Sequence, residues 1–341
     1  MSDAPNEIVT AALDAVASGR DLDADGAAAV LAEIMRGEVS HSQIAGFLIA
    51  LRTKGETVEE LAGLARTMRE FAVPVRASAS GLLDTAGTGG GASSFNVSTT
   101  AALIAAGAGC PVAKHGNRSA TSLSGSADVL EALGGRIDLG PEEVARCIDE
   151  VGFGFIFAPA HHQATRYVIG VRRELGVRTI FNLLGPLTNP AGATRQLVGV
   201  SDPRHLETIA GALVLLGVER ALVVAGEDGL DEISAAAPTR IVEVAQGTVH
   251  AYTVSPAQLG IDGGGAGLRG GTPQENAAVT RAILAGERGP HRELALANAG
   301  AAIYAAGAAG TLEEGVEHGR AAVDDGSAAA LLERWVEATR A

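Results

Sequence analysis

The stretch Asp84–Glu131, DTAGTGGGASSFNVSTTAALIAAGAGCPVAKHGNRSATSLSGSADVLE, decides how the rest of the chain is read. A short apolar run, Gly81 to Thr85, breaks into Gly87-Thr88-Gly89-Gly90-Gly91. It continues through Ser93, Ser94, Asn96, Ser98 and Thr99 into an alanine-rich helix over Thr100–Gly107. That order is strand, glycine turn, helix start. Backbone N–H groups at a glycine turn and in the first turn of a helix lack internal partners and point the same way. With the helix dipole they form a seat for phosphate or another anion. The dinucleotide-binding fingerprint is not completed, because after Gly87 and Gly89 the third glycine would fall at Ala92. Taken alone, the glycine run is equally an ordinary strand-to-helix turn.

The second half of the stretch adds charge. Lys114, His115, Asn117 and Arg118 follow a second apolar run, Pro111 to Ala113, and Ser119, Thr121, Ser122, Ser124 and Ser126 follow them. Two cations, one imidazole, one amide and five hydroxyls within thirteen residues exceed the donor capacity of a surface loop. Such a density suits a ligand with several phosphates.

The composition bounds the possibilities. At 341 residues the chain can bury one large core or two smaller ones, and 47% hydrophobic with 19% charged residues is an ordinary globular balance. Only 3% of residues are aromatic, so Ala, Val, Leu and Ile build the interior. Asp plus Glu number 40 against 26 Lys plus Arg, a net charge of −14 that opposes non-specific binding to nucleic acid or anionic membrane. An anionic ligand then needs a local basic pocket, which Lys114–Arg118 offers. Cys110 and Cys147 lack the paired spacing of a zinc site and read as small buried residues. The opening MSDAPNEI is polar and acidic, without a secretory signal pattern, and no run of about 18 uncharged apolar residues reads as a membrane span. The expectation is a cytoplasmic protein.

Along the chain, residues 1–73 read as wholly helical. Segments are expected over Glu7–Ser18, over Ala24–Arg36 behind Asp23, from Ser40 to near Gly55, and over Val58–Phe71. Ser40/Gln43 and Thr57/Glu60 have capping-box spacing. These helices have little bulk and are expected to pack on something else. Val73-Pro74-Val75 reads as a linker. Beyond it, short strands over Leu82–Thr85, Val112–Lys114, Arg136–Leu139, Phe153–Phe157, Gln196–Val200 and Ala221–Ala225 alternate with helices. The helices are Thr100–Gly107, Ala127–Leu133, Pro141–Val151 and Pro203–Leu216. Strand–helix alternation predicts a mainly parallel sheet flanked by helices, hence an α/β fold. Ile241–Val244 and Thr248–Thr253 read as a hairpin, the tail from Gln274 as helical, and Gly260–Gly271 as a flexible connection.

GTGG, FNVST, KHGNR and SGSADVLEALG, in that order, resemble the anthranilate phosphoribosyltransferase family, part of the nucleoside phosphorylase type III fold group. VRRELGVRTIFNLLGPLTNPAG (Val171–Gly192) and GEDGLDE (Gly226–Glu232) extend the resemblance over nearly the whole chain. It implies a small all-helical domain, residues 1–74 with helices inserted at about 164–189, and an α/β domain, residues 75–163 and 190–341. It also implies an active-site cleft between the two domains and a homodimer joined through the small ones. The implied reaction moves the phosphoribosyl group of phosphoribosyl pyrophosphate (PRPP) to the amine of anthranilate, with Mg²⁺ as cofactor, two ions accompanying PRPP.

By the same resemblance PRPP falls on Gly87, Gly90, Ser94, Asn96, Val97, Ser98 and Thr99, and on Lys114, His115, Gly116, Asn117, Arg118, Ser119, Ala120, Thr121, Ser122 and Ser126. Anthranilate falls on Gly87, His115, Asn117, His162 and Arg172, and the metal on Ser98, Asp231 and Glu232. The residue chemistry agrees with these roles. A carboxylate pair after the apolar strand Ala221–Ala225 suits Mg²⁺, and a guanidinium suits a planar carboxylate. Asp228 reads as a solvated turn and Arg173 as a surface residue. The chain departs from the family in two places. The family's Gly-Thr-Gly-Gly-Asp-Gly reads Gly87-Thr88-Gly89-Gly90-Gly91 here, so the aspartate is absent and the loop is about one residue shorter, and His162-Gln163-Ala164-Thr165 replaces the usual His-Pro-Ala-Met. Two other readings stay open on the residues alone: a pyrimidine nucleoside phosphorylase of the same fold group, and a non-catalytic relative that binds nucleic acid.

Overall fold

The computed structural model describes residues 4–92, 94–119, 123–262 and 268–341. Four helices come first: α1 (Glu7–Ala17), α2 (Ala24–Arg36), α3 (His41–Lys54) and α4 (Val58–Glu70). Their starts follow local chemistry. Asp23 accepts from the Gly26 N–H, and Thr57 and Glu60 form a reciprocal capping box. At α3 the Ser40 side chain caps the Gln43 N–H, and Gln43 answers the Ser40 hydroxyl, not the Ser40 backbone N–H. Its amide instead binds the Asn6 backbone in both directions and so ties α3 to α1.

The remaining elements are β1 (Leu83–Gly87), α5 (Val97–Gly107), β2 (Val112–Gly116), α6 (Ser126–Ala132), α7 (Pro141–Val151) and β3 (Phe153–Phe157). There follow α8 (Ala158–His161), α9 (Arg166–Leu175), α10 (Phe181–Leu184), β4 (Arg195–Gly199), α11 (Leu206–Leu215) and β5 (Arg220–Gly226). The chain closes with the hairpin β6 (Thr239–Ala245) and β7 (Thr248–Val254), then α12 (Pro273–Leu284), α13 (Pro290–Ala305), α14 (Leu312–Asp324) and α15 (Ser327–Ala338). The strands form one seven-stranded sheet in the order β3-β2-β1-β4-β5-β6-β7. It is parallel from β3 to β5 and antiparallel through β6 and β7.

One predicted strand is absent. Arg136–Leu139 is irregular. Ile137 and Leu139 are buried, which produces the strand-like alternation, but the Arg136 N–H is taken by the Thr339 hydroxyl beyond α15 rather than by a neighbouring strand. The sheet already ends at β3. The predicted single helix Pro203–Leu216 is a 3₁₀ turn over Pro203–His205 followed by α11.

Two hydrophobic cores lie on opposite faces of the sheet. One joins α5, α6, α7 and α12–α15 to side chains such as Leu83, Val112, Phe155 and Leu222. The other joins α1–α4 to Val168, Val171, Ile180, Phe181, Leu183, Leu184 and Leu187, to α11, and to Val198, Val223 and Val242 of the sheet. The first four helices therefore complete their interior with side chains from far along the chain. Where the chain passes between the two parts its segments are tied together. Val73 N–H donates to the His161 carbonyl, the His161 ring lies 3.0 Å from the Val73 carbonyl, and Val75 N–H donates to the Pro190 carbonyl. Among the described residues no helix is long and apolar enough to cross a membrane.

Candidate active site

In a parallel sheet a ligand crevice opens at the carboxyl ends of the strands where successive connections leave in opposite directions. Here that point lies between β1, which leads to β2 on one side, and β4, which leads to β5 on the other. The loops after β1, β2, β4 and β5 meet there.

The loop after β1 is pinned at both ends. Thr88 N–H donates to the Gly199 carbonyl, the Thr88 hydroxyl accepts from Ser201 N–H, and Ala92 N–H donates to the Gly229 carbonyl. Gly89 and Gly90 have φ of +65° and +83°, which only glycine adopts without strain. Asn96 precedes α5 but its side chain makes no cap bond. It accepts from the Ser124 hydroxyl at 2.9 Å and the Asn276 amide at 2.8 Å, which joins the loops around α5 and leaves the start of that helix to other partners. Val97, Ser98 and Thr99 form its first turn, and the buried Thr99 hydroxyl has no partner among the described residues. The Ser94 hydroxyl donates to the Phe95 carbonyl, and Gly270 packs against the Ser94 carbonyl.

β2 delivers Lys114, His115 and Gly116. Lys114 is 1% exposed and donates to the Thr85 carbonyl at 2.5 Å, the Thr85 hydroxyl at 3.2 Å and the Ser98 hydroxyl at 3.4 Å. Burial lowers its pKa to about 8 against the attraction of Asp84 and Glu232. Asp84, also 1% exposed, is pushed up to about 6 by burial, with Lys114 opposing. Its carboxylate accepts from His115 N–H and from the Asn189 amide, which also donates to the Ala113 carbonyl. Sequence reasoning passed over Asp84 and Asn189. The available signal was a lone carboxylate in the apolar run Leu82–Ala86.

After β2, Asn117 caps the Arg118 N–H, and its carbonyl accepts from the Ser126 hydroxyl. The Arg118 guanidinium is held by Asp128 and Glu131 and lies over the Phe157 ring. Ser119 N–H donates to Asp128. Ala120, Thr121 and Ser122 lie outside the described residues.

Asp231 and Glu232 follow β5. Their position is fixed from behind by Asn298 of α13, whose fully buried amide exchanges two hydrogen bonds with the Ile233 backbone. Gly199 lies against the Asp231 backbone so closely that a Cβ there would collide with its carbonyl oxygen. Gly91 is similar, since a Cβ would meet Asp231 Oδ1 at 2.5 Å. A side chain at Gly91 would thus keep the β1 loop from closing on Asp231. Burial raises both acids, Glu232 to about 8 with Asp231 adding to the rise. The Gly89 amide faces Asp231 and the Ser98 amide faces Glu232, each opposing that rise. Asp228 is exposed and accepts from the Ser234 hydroxyl at 2.6 Å, so it shapes the turn.

Strand β2 and the turn after α8 contribute histidines, and α9 contributes an arginine. The His115 and His162 rings lie 5.1 Å apart, and the buried Nε2 atom of each lacks a partner among the described residues. His115 Nδ1 is 3.3 Å from the Gly185 carbonyl. Arg172 on α9 is half-buried with its guanidinium over the Phe181 ring, while Arg173 is exposed. His161 turns away toward Val73. Burial lowers His115 to about 3 and His162 to about 4, so both are neutral at neutral pH. A depressed histidine contributes stability that is complete above its unfolded pKa, near 6.5, and is lost as pH falls toward the folded value. For His162 this amounts to about 3 kcal/mol. His162→Gln should therefore flatten the decline of unfolding free energy between pH 6.5 and about 4, measured by urea titration. An unchanged slope would show that His162 titrates normally.

A profile described as "Glycosyl transferase family, a/b domain" matches residues 79–329, and one described as "Glycosyl transferase family, helical bundle domain" matches residues 10–72. An anthranilate phosphoribosyltransferase of Symbiobacterium thermophilum is 54% identical over 96% of this chain and 97% of its own length. The chain belongs to the anthranilate phosphoribosyltransferase family. The Moorella thermoacetica member is 51% identical over 97% of this chain and 99% of its own. The crystal structure of the Thermus thermophilus member superposes with a TM-score of 0.92 at 48% identity, covering 97% of this chain and 99% of that one. The Saccharomyces cerevisiae member, solved in complex with PRPP and Mg, gives 0.88 at 25% identity, covering 97% and 98%. The family's arrangement of a helical bundle beside an α/β domain is the arrangement found here.

Proposed function

We propose that this protein transfers the phosphoribosyl group of PRPP to the amine of anthranilate, releasing pyrophosphate, as a step of tryptophan biosynthesis. The observation that carries the reading is the meeting, at one crevice, of the glycine loop after β1, the buried Lys114 and the acid pair after β5. In this reading the donor's phosphates lie on the amides of the β1 loop and on the first turn of α5, near Lys114. Pyrophosphate leaves with its charge neutralised, the ribosyl carbon develops cationic character, and the neutral arylamine attacks. The protein positions and stabilises; it supplies no nucleophile.

The residues present fit Mg²⁺. Two adjacent half-buried carboxylates with raised pKa values form an acid pair, and the Ser98 hydroxyl lies close to Lys114 beside them. No group of three or more acidic, histidine or cysteine side chains among the described residues makes a complete metal cage. Mg²⁺ characteristically takes one or two carboxylates and completes its shell with water and substrate phosphates. Asp231, Glu232 and Ser98 would hold it, and it would neutralise the leaving pyrophosphate. The reading includes two ions per PRPP, which titration calorimetry counts.

The acceptor's carboxylate is assigned to Arg172, and its ring to the pocket of Gly87, His115, Asn117 and His162. A charge-assisted hydrogen bond contributes about 1.5–3 kcal/mol, so Arg172→Ala should raise the KM for anthranilate by about ten- to a hundredfold and leave that for PRPP within about twofold. Equal rises in both would reject the assignment. The overall reading is tested by PRPP- and Mg²⁺-dependent loss of anthranilate fluorescence with stoichiometric pyrophosphate release. No fluorescence loss at saturating donor would overturn it. The reading extends to a cytoplasmic homodimer. The exposed Ile8, Ile49 and Ile169 lie on α1, α3 and α9, which pack in that order on the helical part. Sedimentation at a monomer mass would refute the dimer, and recovery in a membrane or secreted fraction the location.

A further inference from the structure

Arg178 lies between α9 and α10, in the segment whose side chains complete the core of α1–α4. Its backbone is held on that side. Its carbonyl accepts from the Arg52 guanidinium at 3.0 Å, and the buried Thr179 that follows donates its N–H to the Asn182 side chain. Its side chain leaves that part of the molecule and crosses to the glycine loop after β1. Nη1 donates to the Gly89 carbonyl and Nη2 to the Thr88 carbonyl. Gly90 packs on the same guanidinium, where a Cβ would collide with Nη1.

The peptide plane converts this contact into an orientation. In a trans peptide the carbonyl and the next residue's N–H point in opposite directions. With the Thr88 and Gly89 carbonyls turned onto Arg178, the N–H groups of Gly89 and Gly90 are turned away from it. The Gly89 amide accordingly faces the Asp231 carboxylate. The loop is held between a guanidinium on one side and the acid pair on the other, with Gly91 closing on Asp231. Hydrogen bonds to a cation also polarise the peptides they engage, which makes their N–H groups better donors.

We propose that Arg178 is a positioning residue for the phosphoribosyl donor, one that fixes the glycine loop from the helical side so that the Gly89 and Gly90 amides face the crevice. The proposal rests on the reading of the crevice as a PRPP site. Arg178 sits on the same segment as Arg172, the residue assigned to the acceptor, so one segment bears on both substrates while Arg178 itself acts through the loop.

The test uses the full chain with Arg178→Ala and Arg178→Lys. Calorimetric titration of Mg²⁺ and PRPP into each, without acceptor, should show Kd raised about tenfold or more in Arg178→Ala. Arg178→Lys should recover little, because one ammonium does not reproduce a planar fork on two successive carbonyls. Steady-state rates should show KM for PRPP rising in step with Kd and KM for anthranilate unchanged. The melting temperature of the ligand-free variants should stay within about two degrees of the native chain, since Arg178 is exposed. A native Kd in Arg178→Ala, a rise confined to anthranilate, full rescue by lysine, or a ligand-free melting point several degrees lower would each overturn the proposal. Should the native chain itself bind no PRPP, the functional reading fails first, and the two failures are distinguished by that control.

Discussion

Replacing Asp231 and Glu232 together by alanine should lower kcat/KM for PRPP by about a thousandfold or more and leave the melting temperature of the ligand-free protein unchanged or slightly higher. The two halves of that result have separate causes. Charge stabilisation by a bound metal contributes several kcal/mol to a transfer reaction, and about 4 kcal/mol is a thousandfold in rate. In the ligand-free protein the same pair is a burden, because burial pushes Glu232 to about 8, with Asp231 adding to the rise, and burial raises Asp231 as well. An acid whose folded pKa lies above its unfolded value binds more protons in the folded state, so its stabilising contribution is lost as pH rises toward the folded value. Removing the pair at pH 8 therefore removes a cost. Mg²⁺-dependent turnover surviving in the double variant would sink the metal assignment. A melting point lower by several degrees would mark the pair as a structural element.

Lys114→Met should cost about 1–3 kcal/mol of stability, the cost of leaving a buried polar group without its hydrogen-bond partner, and should abolish donor binding. The side chain is 1% exposed and makes the contact to the Thr85 carbonyl at 2.5 Å, so its loss leaves a buried acceptor unpaired. It also leaves Asp84 without its cation, although Asp84 can shed part of the penalty by taking up a proton. Adding Asp84→Asn to Lys114→Met should return part of the stability and none of the activity. Urea unfolding of the two single variants and the double variant measures the coupling. Additive losses would show that the two residues do not share a network.

The parts of the fold legible in sequence were those set by local chemistry. Pro141–Val151 and Phe153–Phe157 have the bounds read from the sequence, because a proline start, glycine stops and an apolar run define them locally. Arg136–Leu139 was misread because alternation reports burial, and burial here comes from the packing of α15 rather than from a strand partner. The site divides the same way. Gly87–Thr99 and Lys114–Ser126 are contiguous, so their density of donors is visible in a single stretch. Asp84 with Asn189, Asn298 with Ile233, and Arg178 with Gly89 are pairs far apart in sequence, and neither member of a pair points to the other. Gln43 shows a further limit: its capping spacing is real, but a tertiary partner on α1 won its side chain.

The core beneath α1–α4 also bears on how the chain reaches its native state. These helices leave the ribosome first, yet the interior they share includes Val168, Val171, Ile180, Phe181 and Leu187 and, later still, Val223 and Val242. Until those residues have been made, the amino-terminal helices carry apolar faces with nothing to close them. Domain-by-domain folding during synthesis, the usual course for a long chain, is therefore denied to this one at its amino terminus. Closure of the core waits on contacts of long sequence separation, the slow class in folding.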